Sequence, residues 1–153
     1  SIHPAHKRPV GERLARWALS EIYPQSSGNN IIWKGPVYES YQIEDGKVTI
    51  SFESGTANGL RLDKDTVQGF YIAGNDREFH HANARIAGET LVVWHDDIKA
   101  PVAVRYALSN LPHGSLLNGK ELPAYPFRTD TWPITPHQST GDYDVNSIRQ
   151  PPN

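Results

Sequence analysis

Cysteine is absent from the 153 residues. That excludes disulfides and thiolate metal sites, and it leaves the compartment open, because many exported proteins also lack cysteine. Neither sign of charge dominates: 15 Lys and Arg stand against 17 Asp and Glu, a formal net charge of -2. Such a balance gives no electrostatic case for nucleic acid. No apolar run is long enough to cross a bilayer, so no membrane partner is expected. There is no Asn-x-Ser/Thr acceptor, no signal peptide and no initiator methionine. The chain opens on Ser1-Ile2-His3-Pro4 and passes straight into a basic amphipathic pattern, as if in the middle of something larger.

What is present suffices for a core. The hydrophobic fraction is 37% and the mean hydropathy is -0.57. Seven Tyr, four Trp and four Phe supply large side chains. This length allows one ordinary domain, or a small domain with an appendage. Val10, Leu14, Trp17, Ala18 and Ile22 recur at helical spacing and predict a helix over 6–23. Pro4 suits its start and Pro24 its end, and Glu12 and Arg16 form an i,i+4 pair. Residues 25–30 read as a linker.

After the linker the period changes to two. Val48, Ile50 and Phe52 alternate with polar residues, and Asp45-Gly46 marks a hairpin between 41–44 and 47–52. Further strands are expected over 69–73, 78–81, 84–87, 90–94 and 102–108. Gly74-Asn75-Asp76 and Gly88-Glu89 supply turns between them. From about Leu111 the chain is loop-like, with Pro112, Pro123, Pro126 and Pro133. The fold class is therefore mainly β: an N-terminal amphipathic helix within 1–26, a β-sandwich over 27–133, and an extended tail over 134–153.

Few residues suggest chemistry. His3 precedes the helix in an Ile-His-Pro turn, although a single His is most often a polar surface or core residue. Side chains of His80 and His81 point to opposite faces of a strand, so they do not chelate one ion easily. His95-Asp96-Asp97 reads as a polar turn sooner than as a set of cation ligands. Trp33, Trp94 and Trp132 could stack on sugar rings, but core packing is the favoured expectation. Arg128-Thr129-Asp130 suggests an Arg–Asp pair or a loop lock. Lys7, Arg8, Arg13 and Arg16 form a basic helix face, solvated or docked against another domain.

An ordered set of motifs goes further. It comprises Ile2-His3-Pro4, Val10-Gly11, Arg13-Leu14-Ala15 and Trp17-Ala18-Leu19, then Gly35-Pro36-Val37-Tyr38. Gly69-Phe70-Tyr71-Ile72-Ala73-Gly74 and the run from Pro101 to Ala107 follow. Leu122-Pro123-Ala124, Pro126-Phe127-Arg128-Thr129-Asp130 and Trp132 close it. Together, over 2–133, these motifs resemble the C-terminal part of the sialate O-acetylesterase family of SGNH/GDSL hydrolases.

The resemblance implies a serine esterase that removes acetyl groups from sugar hydroxyls, needs no cofactor or metal, and is secreted, periplasmic or lysosomal. His3 matches the family's catalytic His. Nothing in the chain matches the nucleophile, and the family's Asp would fall at Ser1 or before it. The expected partners are an SGNH domain or chain carrying the Ser, and an acetylated carbohydrate. The reading is a C-terminal fragment or chain, inactive alone, that supplies His3 and an accessory β-domain. The alternative is a non-catalytic carbohydrate-binding or structural module.

Overall fold

The computed structural model describes residues 7–24, 31–63, 67–108 and 114–133. Helix α1 runs Arg8–Trp17 and continues as a π-helical turn, Ala18–Ile22. Its first-turn proline is Pro9, where the missing N–H costs nothing; Pro4 lies outside the described residues. The turn closes where the Tyr23 N–H donates to the Ala18 carbonyl at 2.9 Å. Pro24 follows and disfavours helical geometry at Tyr23, whose φ is -122°. Glu12 pairs with Arg8 at 2.7 Å, one turn earlier than the expected Arg16.

The rest is mainly β. Strands β1 (Tyr38–Glu44), β2 (Lys47–Phe52), β6 (Asn83–Ala87) and β7 (Thr90–Trp94) form one antiparallel sheet in the order β1-β2-β7-β6. A second contains β4 (Phe70–Ala73), β5 (Phe79–His81), β8 (Ala103–Tyr106) and β10 (Phe127–Arg128), in the order β10-β8-β4-β5. A two-stranded piece pairs β3 (Arg61–Leu62) with β9 (Leu116–Leu117). The strands expected from period and turns are present with shifted ends. β3, β9 and β10 were not expected, because two-residue strands carry no period to read.

The β1–β2 hairpin is set by its turn. Asp45 and Gly46 both take positive φ, 48° and 71°, as a type I′ turn requires. Glu44 and Lys47 pair across it, which puts Ile43 opposite Val48 and Tyr41 opposite Ile50. The alternation in β2 then buries Val48, Ile50 and Phe52. On β7, Val48 meets Val93 and Ile50 meets Leu91.

Both four-stranded sheets feed one core. Its centre is aromatic. Phe127 stacks on Tyr38 at 5.3 Å and on Tyr106 at 5.5 Å, and meets Phe52 edge-on at 6.2 Å. Phe70 stacks on Tyr106 at 4.6 Å. One residue of the loop-like C-terminal stretch therefore ties the two sheets together. Against expectation, none of Trp33, Trp94 and Trp132 belongs to this core; all three are half-buried.

Two further ties hold the closing segment, residues 114–130. Asn118 is buried and uses its whole side-chain amide: Nδ2 donates to the Lys34 and Thr56 carbonyls, and Oδ1 accepts from the Lys120 and Leu122 N–H groups. Gly35 lies so close to this segment that a Cβ would sit 1.9 Å from the Pro123 carbonyl oxygen. The Tyr125 N–H then donates to the Pro36 carbonyl at 3.1 Å.

Candidate functional site

The residue expected to carry catalysis, His3, lies outside the described residues, as do the linker and the 134–153 tail. Helix α1, which follows His3, is described in full. None of its residues is buried. At about 100° per residue, Val10, Leu14 and Trp17 form one stripe. They are 56%, 61% and 41% exposed. Pro9, Glu12, Arg13 and Arg16 form another stripe centred roughly a third of a turn away, and this one faces the β-module. The helix thus turns its polar side to its own chain and its apolar side outward.

Between the polar stripe and the closing segment lie two adjoining grooves that share Arg13 and Leu122. One, of about 190 Å³, is lined by Arg13, Trp33, Gly35 and residues 122–126. The other, of about 250 Å³, is lined by Pro9, Glu12, Arg13, Arg16, Lys120, Glu121 and Leu122. Trp33 is locked in place, its Nε1–H donating to the Glu21 carboxylate at 2.8 Å. The Lys34 ammonium lies 5.3 Å from its ring centre. Tyr125, held between Ala124 and Pro126, is 46% exposed.

Apart from the grooves, Arg105 and Asp130 form a two-point ion pair: Nε to Oδ2 and Nη2 to Oδ1, both 2.8 Å. The expected pair of Asp130 with its neighbour Arg128 is also present, at 3.8 Å, and Arg128 donates to the Trp132 carbonyl as well. The lock joins the closing segment to β8. Thr129 reinforces it, its hydroxyl oxygen accepting from the Val104 N–H at 2.9 Å. The Arg105 guanidinium holds the Asp130 carboxyl below the usual carboxylate range, and the bond to Asp130 raises Arg105 in turn. Arg105 also lies over the Phe79 ring at 4.1 Å. Phe79 meets Trp132 edge-on, and Arg77 covers Trp132 at 5.1 Å. This ladder positions structure; its cations already have partners.

The histidines are dispersed. His81 packs on Tyr71 at 4.7 Å, while His80 lies 5.5 Å from His95. His95 Nδ1 accepts from the Asp97 N–H, which closes the turn after β7. Among the described residues no group of three or more His, Asp or Glu could hold a metal ion.

The structure brings together Trp33 and Arg13, residues noted separately in the sequence. It adds Tyr125 and Lys120, which sequence reasoning passed over. The signal for Tyr125 was its place between Pro123-Ala124 and Pro126, a stiff frame that presents a side chain.

No family model and no curated protein matches the chain. A solved structure does: a novel carbohydrate acetylesterase from Xanthomonas citri, with 41% sequence identity and a TM-score of 0.77. The match covers 86% of this chain and 30% of that one, so the chain spans under a third of that enzyme's length.

Proposed function

We propose that this chain is the C-terminal part of a carbohydrate O-acetylesterase of the SGNH, sialate O-acetylesterase-like type. The observation that carries the reading is the similarity to a carbohydrate acetylesterase at 41% identity over 86% of the chain. The ordered motifs and the outward apolar stripe of α1 support it. In this reading the chain supplies His3, helix α1 and an accessory β-sandwich, and the stripe of Val10, Leu14 and Trp17 seats on an SGNH body that carries the nucleophile.

The chemistry follows from the parts. A Ser on the SGNH body attacks the acetyl carbonyl, and His3 takes its proton as general base. His3 then returns the proton to the departing sugar oxygen, and water releases the acetyl group by the same route. An Asp preceding Ser1 in the longer protein orients the imidazole and stabilises the imidazolium. Backbone N–H groups beside the nucleophile hold the tetrahedral oxyanion.

His3→Ala in the assembled enzyme tests this. Turnover of an acetylated oligosaccharide is expected to fall by orders of magnitude while the melting of the β-module is unchanged, because triad members act as a unit. Wild-type turnover in that variant would show that His3 is not the base. Residues 1–153 alone should hydrolyse nitrophenyl acetate no faster than background. A second reading, a carbohydrate-binding module, is favoured by one observation, the aromatic and cationic grooves beside α1.

A further inference from the structure

We infer that the paired grooves between helix α1 and the closing segment bind a uronic-acid-bearing stretch of glycan, one that need not carry the acetyl group. The inference rests on the carbohydrate part of the reading above and deepens it by naming a ligand class and a place for it.

Charge carries the argument. Two carboxylates line the grooves, and both are occupied: Glu12 by Arg8 at 2.7 Å, Glu121 by Arg61 at 3.4 Å. Three cations line them, Arg13, Arg16 and Lys120, and none has an acidic partner among the described residues. The free charge in the grooves is therefore positive, on a chain whose overall charge is -2. A planar guanidinium presents paired donors that match a sugar carboxylate.

Shape and surface agree. Trp33 and Tyr125 give the grooves aromatic rings suited to the apolar face of a pyranose, and both are held before any ligand arrives. Trp33 is fixed by Glu21, and the Tyr125 backbone by Pro36. Gly35 leaves backbone in place of a side chain on the floor. Two grooves joined at Arg13 suit consecutive sugar units better than a single terminal one.

Calorimetric titration of the full chain with trigalacturonate tests the inference, with xylotriose as the uncharged comparison. Trigalacturonate is expected to bind, less tightly as salt is raised. Xylotriose is expected not to bind. Arg13→Ala should weaken trigalacturonate about tenfold or more, and Tyr125→Ala should weaken it independently. The Arg13 side chain makes no hydrogen bond or ion pair among the described residues, and a helix signal unchanged in the variant confirms that folding is intact. Absence of binding, equal binding of xylotriose, or full binding by the Arg13 variant would overturn the inference. Because neither probe carries an acetyl group, failure here leaves the esterase reading standing. Failure of the His3→Ala test likewise leaves this one standing.

Discussion

Arg105 and Asp130 show what one pair of side chains does for the whole module. The Asp130 side chain is only 1% exposed, so losing its partner strands a charge away from water. Arg105→Ala should cost about 3–5 kcal/mol in urea unfolding, the usual penalty for breaking an enclosed pair from one side. The pair also sets acid behaviour. The folded pKa of Asp130 is depressed by Arg105, so near the unfolded value of about 3.9 the unfolded chain binds more protons. Its contribution is present above that pH and is lost as pH falls toward the folded value. Melting temperature should drop steeply below about pH 4, and Asp130→Asn should flatten that drop. A wild-type profile identical to the variant's would remove Asp130 from the acid response. Asn118 is the neutral counterpart. Asn118→Ala strips partners from two carbonyls and two N–H groups, and should cost upwards of about 2 kcal/mol.

At the scale of elements, the hairpin and helix α1 behave differently. Gly46 takes φ 71°, and a Cβ there would sit 3.1 Å from the Lys99 carbonyl oxygen. Gly46→Val should therefore destabilise by roughly 1–2 kcal/mol or more, read as a lower melting temperature. Helix α1 is stabilised little by its own module, since none of its side chains is buried. Leu14→Glu should leave the melting of the β-module unchanged. A lowered melting point would show that the stripe packs against this chain. The hairpin was legible in the sequence because everything that specifies it is local: alternation in β2 and two turn residues. The helix was legible from its stripe, but its π-helical end was not, since that depends on Pro24 and a single shifted hydrogen bond. β10 was unreadable because Phe127 gains its place from Tyr38, Phe52 and Tyr106, all distant in sequence. The grooves were hidden for the same reason. Arg13, Trp33 and Tyr125 each appear in the sequence, but only the fold puts them on one surface.

For the whole molecule, the closing segment decides when the module is finished. Residues 114–130 supply the Asn118 hub, the central aromatic ring at Phe127 and the acid partner of Arg105. A chain cut after Pro126 lacks the last two. It should lose cooperative unfolding and bind a hydrophobic dye, whereas a cut after Pro133 should leave the melting transition in place. During synthesis the same dependence imposes an order in time. The β1–β2 hairpin can form as soon as it leaves the ribosome, but both sheets must wait with their apolar faces uncovered until Phe127 and Asp130 have emerged. Over that interval the nascent chain is a substrate for chaperones.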